Sequence, residues 1–100
     1  MNAVNAVAKA RFASARPQSA HLHEGGAFDL ELLCMEAGQE MRITSGEWAY
    51  YVVMGQAEVS CGEQASAVST GHLASFGANE SHTIANRGAG LPDDGLFTPE

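Results

Sequence analysis

The chain has 100 residues, 45% of them hydrophobic, and a formal net charge of −7 at neutral pH. This length fits one domain with a single core, and the hydrophobic fraction is typical of a folded globular protein rather than a disordered one. The acidity is concentrated in residues 17–100, which hold two arginines against twelve carboxylates; a surface of that sign repels phosphates and argues against nucleic-acid binding.

Residues 1–19 are predicted to form an N-terminal arm. They include Lys9, Arg11 and Arg16 but no carboxylate, and Pro17 interrupts regular structure near the end. The arm could be a short Ala-rich helix, a loose segment or a strand exchanged with another subunit. Its basic composition, with Ala and Ser, also faintly resembles an organellar transit peptide.

From residue 20 to residue 88, short strand-like runs are separated by glycine-containing turns. The runs recur at the spacing of about 8–12 residues that is typical of a β-sandwich or β-barrel. No stretch of this region keeps helical periodicity over about ten residues. We therefore expect an all-β domain, with strand-like runs at residues 21–24, 28–35, 47–54, 56–61, 65–69, 73–76 and 82–85.

Residues 89–100 are predicted to be a C-terminal tail. Glycines and Pro92 break this segment, and only residues 96–98 could pair briefly with a strand. A barrel that ends in this way keeps an open sheet edge, which a second subunit or the N-terminal arm could cover. The sequence therefore predicts a homodimer.

Neither a membrane span nor a secretory leader is expected. No apolar run approaches the length of about 20 residues that a span needs, and no signal-peptide pattern is present. Cys34 and Cys61 are too few for a disulfide framework, and both lie in strand-like runs. Reduced cysteines and a cytoplasmic location are the corresponding predictions.

A motif near the end of the strand-rich region carries a family resemblance. Gly71 is followed by Gly77, Asn79, His82 and Asn86 at fixed spacing. This stretch resembles the second motif of the cupin superfamily, which reads glycine, five residues, Pro-x-Gly, two residues, histidine, three residues, asparagine. Gly77 and Asn79 replace the proline and glycine of that pattern, and both residue types suit a tight turn.

The first cupin motif is present only at its ends. Gly38 and Gly55 match the flanking glycines, but Thr44 and Gly46 stand at the two histidine positions and Trp48 stands at the glutamate position. The segment between the glycines is also shorter than in the family pattern. The resemblance, which covers residues 20–88, is thus to a small single-domain cupin with a degenerate first motif. It implies an antiparallel β-barrel, or jelly-roll-like double-stranded β-helix.

The resemblance also implies what the site lacks. Metal-binding cupins use two histidines and a glutamate from the first motif and one histidine from the second, and His82 alone matches that set. A divalent transition metal generally needs at least three protein ligands. We therefore expect no metal site of the family type and no cofactor. Glu47 is not expected to replace the missing acid, because strand alternation points it away from the Trp48 face.

His21 and His23 form a His-x-His pair, which on a regular strand points both rings to one face. They precede the first motif, so we expect them to be partly exposed polar side chains near a strand start. A composite site with His82 is the alternative, and it would require the N-terminal strand to fold over the barrel mouth.

The predicted ligand-binding residues are His82, Trp48, Tyr50 and Phe76, with Phe28 as a further aromatic that could line the cavity. In the competing interpretation these rings only fill the core, and His82 hydrogen-bonds a neighbour such as Tyr50 or Asn86. We expect a metal-free module that binds or senses a small molecule. The alternative is an enzyme, either a metal-dependent, dioxygenase-like cupin or a metal-free isomerase with His82 as general base.

Overall fold

The computed structural model of the protein describes Met1 and residues 3–87. A short 3₁₀ helix, Val7–Lys9, lies in the N-terminal arm, and all other regular elements of the described chain are strands. In chain order they are β1 (Gln18–Glu24), β2 (Asp29–Cys34), β3 (Glu40–Ile43), β4 (Trp48–Tyr51), β5 (Gln56–Cys61), β6 (Gln64–Ser69), β7 (Leu73–Phe76) and β8 (His82–Ala85).

The strands of this region form three antiparallel ladders. β1 pairs with β2, β4 pairs with β7, and the third ladder has the order β3-β8-β5-β6. The prediction of an all-β, antiparallel domain is therefore confirmed. The ladders do not close into one continuous barrel within residues 3–87, so the predicted cupin-type barrel is not reproduced there, whereas the open sheet edge that the sequence predicts is compatible with this arrangement.

The strand boundaries differ from the sequence prediction in three places. β1 begins at Gln18, two residues before the predicted start of the domain, and β4 ends at Tyr51, inside the predicted run 47–54. The sequence prediction missed β3, whose four residues alternate polar and apolar along a very short strand. The predicted C-terminal tail and its brief strand at 96–98 lie outside the described residues.

The hydrophobic core lies between the four-stranded ladder and the β4–β7 pair. β5 and β8 alternate as expected of half-buried strands, so that one face of each turns inward. Cys34 is buried and Cys61 is partly exposed, and both are free thiols. The buried cluster consists of Val52, Ala57, Val59, Val68 and Ile84, and the partly buried Leu33, Met41, Tyr50, Ala74 and Phe76 pack against it.

Three glycines that carry the family resemblance occupy turns with positive φ. The φ angles of Gly38, Gly55 and Gly71 are 88°, 95° and 87°, a region that residues with a Cβ rarely adopt. Gly71 N–H donates to the Val52 carbonyl at 2.8 Å, and Val52 N–H donates to the His72 carbonyl at 3.0 Å. The glycine positions therefore reverse the chain and let the β4–β7 pairing continue into the adjoining loops.

Arg87, which follows the end of β8, links that strand to β5 and β3. Its Nε donates to Glu58 of β5 at 2.8 Å and its Nη1 donates to Glu40 of β3 at 3.1 Å, just after β8 ends. The Glu58 hydrogen bond is the main reason that the pKa of Arg87 is raised. In residues 3–87, no helix has the length and apolar character required to cross a bilayer.

Candidate functional site

The four predicted site residues form one row of rings between β4, β7 and β8. Trp48 lies opposite Phe76 in the β4–β7 register, and Tyr50 contacts Trp48, Phe76 and His82 of β8. The ring centroids of Trp48 and Tyr50 lie 6.1 Å apart with an interplanar angle of 12°, a stacked arrangement. The centroids of Tyr50 and Phe76 also lie 6.1 Å apart, in an edge-on arrangement. Phe76 and His82 stack nearly face to face at 3.9 Å and 7°. Each of the four rings therefore contacts at least one other.

Both nitrogens of the His82 ring are hydrogen-bonded. Nδ1 lies 2.9 Å from the Glu80 carbonyl oxygen and Nε2 lies 2.8 Å from the Tyr50 hydroxyl. Because a carbonyl oxygen can only accept, Nδ1 carries a proton, and in the neutral tautomer with this proton Nε2 accepts from the Tyr50 hydroxyl. His82 is only 2% exposed, so this pairing satisfies a buried polar side chain. The interpretation in which His82 bonds Tyr50 is confirmed.

The Tyr50 hydroxyl is held in its protonated form. Burial raises the pKa of Tyr50 from its ordinary value of 10.0 to about 12, because the phenolate would lose solvation there. As a donor to His82, the hydroxyl is already committed to an internal hydrogen bond. The Tyr50 hydroxyl can therefore bind a ligand only if its bond to His82 is broken.

A cleft of about 610 Å³ is lined in part by Trp48 and Tyr50. Phe76 and His82 are not part of its lining, so Tyr50 is the link between the cleft and the buried end of the ring row. The sequence prediction placed all four residues at one cavity, and the structure divides them into two groups of two. The lining consists of Pro17, Gln18, Ser19, Ala27, Phe28, Asp29, Leu30, Glu31, Leu33, Met41, Glu47, Trp48, Ala49 and Tyr50.

The large apolar side chains of the cleft are unusually exposed. Phe28 is 61% exposed, Leu30 50% and Trp48 38%, although each is of a type that is normally buried. Exposed apolar groups that share a concave surface are typical of a binding site. A second hollow, of about 590 Å³, is lined only by residues 4–11 of the N-terminal arm and includes no strand residue.

Comparison with known proteins supports the fold and leaves the chemistry open. No family model matches the sequence, and the search of curated proteins found no relative. The structure is similar to the crystal structure of the conserved SPY1581 protein of Streptococcus pyogenes, a protein of unknown function. The TM-score is 0.72 at 17% sequence identity, over 86% of this chain and 77% of the other. The two chains share a fold.

The described residues 3–87 do not supply the donor set that a cupin-type metal ion needs. Trp48 stands at the position of the family's glutamate, and its Nε1 donates to the Ser45 carbonyl at 3.0 Å. Within residues 3–87, no group of three His, Cys, Asp or Glu side chains is placed to hold a metal ion. The side chains at these positions therefore do not fit the metal that the resemblance implies.

The His21–His23 pair is separated by a register shift in the β1–β2 ladder. His21 lies 3.8 Å from a Glu31 carboxylate oxygen, whereas the His23 ring packs against Phe28 at 5.2 Å. The regular alternation that would place both rings on one face is thus interrupted. Both residues are exposed, as the simpler interpretation expects.

Several lining residues were not predicted from the sequence. Asp29, Leu30 and Glu31 enter from β2, and Met41 enters from β3, the strand that the prediction missed. Glu47, which the prediction placed on the face opposite Trp48, is also among the residues that line the cleft. It precedes the first residue of β4, and strand alternation does not govern a residue outside the strand. The available signal was the apolar character of Phe28 and Leu30 next to a glycine turn.

Proposed function

We propose that the protein is a metal-free module that binds a small molecule in the cleft between the β1–β2 hairpin and β4. One observation carries this proposal: exposed aromatic and aliphatic side chains converge on a concave space of about 610 Å³. Ligand sites are commonly clefts of this volume with mostly apolar walls and a few polar groups. Asp29, Glu31 and Glu47 supply the polar groups here.

A cupin-like fold is part of the same proposal. The positive φ angles of Gly38, Gly55 and Gly71 give the motif glycines a physical reason. Asn86, at the last motif position, is 2% exposed and donates from Nδ2 to the Met35 carbonyl at 2.8 Å. These contacts support a structural role of the motif residues, in the turns and in the buried asparagine bond, rather than a role as metal ligands.

Binding is favoured over catalysis because of the position of His82. A general base must reach the proton that it removes from a substrate. His82 is buried outside the cleft lining, and both of its ring nitrogens already have partners. An isomerase that used His82 would first have to break the Tyr50 bond and bring the ring to the cleft.

We further propose that two copies associate and that the protein works in a reducing compartment such as the cytoplasm. Tyr51 and Leu73 lie opposite each other on the outward face of the β4–β7 pair, 59% and 63% exposed. An apolar cross-strand pair in this position favours contact with a second sheet face. The free thiols of Cys34 and Cys61 favour the reducing compartment.

Thermal denaturation against a panel of metabolites and divalent metals tests the proposed function. A ligand present at a hundredfold its Kd adds about 2.7 kcal/mol to the free energy of unfolding. Trp48 is the single tryptophan of the chain, so its fluorescence reports binding at the cleft directly. We expect a metabolite to stabilise the protein and to change this fluorescence without added metal.

Two substitutions of alanine by phenylalanine show whether the ligand binds in the cleft. Ala27 lines the cleft from the β1–β2 loop, whereas Ala78 is an exposed loop residue outside it. Ala27→Phe fills the space and is expected to abolish the ligand-induced shift, and Ala78→Phe is expected to preserve it. The proposal is contradicted if the ligand-induced shift persists in Ala27→Phe. It is also contradicted if the shift requires a metal ion and His82→Ala abolishes binding of that metal ion.

A further inference from the structure

We propose that the ligand of the cleft is an organic cation, an ammonium group attached to an apolar or aromatic body. This inference rests on the proposed binding function and adds the charge class of the ligand. The cleft provides the binding site, and the charged and aromatic side chains of its walls determine which ligand charge it favours.

The charged side chains of the lining all have the same sign. Asp29, Glu31 and Glu47 are present, and none of the described lining residues is lysine, arginine or histidine. Residue 2 and residues 88–100, which lie outside the described chain, contain no basic residue either. A carboxylate or phosphate ligand would therefore meet repulsion without an opposite charge, whereas a cation is attracted by all three groups.

The three carboxylates differ in what they already bind. Asp29 accepts a weak hydrogen bond from Gly25 N–H at 3.3 Å, and Glu31 lies 3.8 Å from His21 Nδ1. Glu47 is exposed and forms no hydrogen bond or ion pair with any described residue. Glu47 is therefore the acid most available to a ligand, and it is adjacent in sequence to Trp48.

The polar atoms of the two aromatic side chains of β4 that line the cleft are already hydrogen-bonded within the protein. Trp48 Nε1–H is engaged by the Ser45 carbonyl, and the Tyr50 hydroxyl is engaged by His82. The negative faces of Trp and Tyr rings attract cations within about 6 Å, and Trp does so best. The ring planes of Trp48 and Tyr50 are nearly parallel, at 12°, and Glu47 lines the same cleft as both rings. This combination complements an ammonium group.

Three benzene derivatives of different charge test the inference on the full chain at low ionic strength. The cation is benzyltrimethylammonium, the neutral probe is benzyl alcohol and the anion is benzoate. Titration calorimetry and Trp48 fluorescence measure Kd for each. We expect the cation to bind at least about tenfold more tightly than the other two, and its Kd to rise with added salt because the attraction is electrostatic.

A matched pair of carboxylate variants locates the charge. Glu47→Gln removes the unpaired acid of the cleft, and Glu63→Gln removes an exposed acid in the turn between β5 and β6. We expect Glu47→Gln to raise the Kd of benzyltrimethylammonium about three- to tenfold, and Glu63→Gln to leave it within about twofold, because a distant exposed charge is screened.

The possible results separate this inference from the proposed function. If a neutral or anionic compound binds in an Ala27→Phe-sensitive way and the cation binds no better, the inference is wrong and the binding function stands. Cation binding that ignores both Ala27→Phe and Glu47→Gln also overturns the inference. If the cation fails to bind while no metabolite of the panel binds, both proposals are wrong.

Discussion

The hydroxyl of Tyr50 donates a 2.8 Å hydrogen bond to Nε2 of His82 and thereby joins two ladders that share no strand pairing. Tyr50 belongs to the β4–β7 pair and His82 begins β8 in the four-stranded ladder. The Glu80 carbonyl fixes the proton on Nδ1, so the bond has a defined direction. A buried polar contact of this kind helps to set how the two layers face each other.

Tyr50→Phe is expected to lower the free energy of unfolding by about 1–3 kcal/mol. The substitution keeps the ring and its contacts with Phe76 and Trp48, but it leaves the buried Nε2 of His82 without a donor. An unsatisfied buried polar atom carries a cost of that size. Urea unfolding followed by circular dichroism measures the change.

Tyr51→Phe is the matched control, because Tyr51 is exposed and its hydroxyl has no hydrogen-bond partner among the described residues. A change within about 0.5 kcal/mol is expected for such a surface substitution. Equal effects of the two variants would show that the Tyr50–His82 bond does not contribute. The nitrogen chemical shifts of the His82 ring provide a second check, since the contact requires a protonated Nδ1.

The raised pKa of Tyr50 predicts a loss of stability at alkaline pH. Below pH 10.0 the residue is protonated in both the folded and the unfolded chain, so its contribution is fully present. Between 10.0 and about 12, the unfolded chain loses the proton first, and the free energy of unfolding falls with rising pH. Tyr50→Phe is expected to lack this part of the fall and Tyr51→Phe to retain it. The difference in urea midpoint between the two variants, measured from pH 9 to 11.5 (roughly the window set by these pKa values), checks the prediction. A difference that does not change with pH contradicts it.

The contact between His82 and Tyr50 could be predicted because the inward direction of each side chain follows from its own short segment of sequence. Alternation along β4 places Trp48 and Tyr50 on one face, and the motif spacing places His82 on an inward position of β8. In a small domain, two inward-facing side chains have few other residues to contact and therefore tend to contact each other. The core positions of β5 follow from the same alternation.

The cleft could not be predicted, because it depends on how separate ladders sit against each other. Its floor and walls combine β2, β3 and β4, which belong to three different ladders. No periodicity in the sequence encodes that relation. β3 itself has only four residues, too few for an alternation pattern to distinguish a strand from a loop. Glu47 precedes the first residue of β4, so the alternation of that strand does not fix the direction of its side chain.

Asn86 is expected to be a structural residue whose amide donor is essential. Its Nδ2 donates to the buried Met35 carbonyl at 2.8 Å, and its main chain pairs with the turn at Gly38 and Gln39. Asn86→Ala and Asn86→Asp both remove the donor, so each is expected to lower the free energy of unfolding by about 1–3 kcal/mol. Asn79 of the same motif is exposed, and Asn79→Ala is expected to change it by no more than about 0.5 kcal/mol. Urea unfolding compares the variants. If Asn86→Asp is as stable as the wild type, the donor role is wrong.

Dimerisation is expected to use the outward face of the β4–β7 pair. Leu73 and Tyr51 lie opposite each other on this face and are the most exposed apolar side chains of the two strands. Leu73→Asp introduces a charge there that would have to be buried in a dimer, at a cost that opposes association. Light scattering at micromolar concentration is expected to show a wild-type dimer and a monomeric Leu73→Asp variant that is still folded by circular dichroism. Ala67→Asp, an exposed position on the edge strand β6, is expected to remain dimeric. A monomeric wild type contradicts the dimer, and dissociation by Ala67→Asp alone would move the interface to β6, because an edge strand can also pair with a second copy.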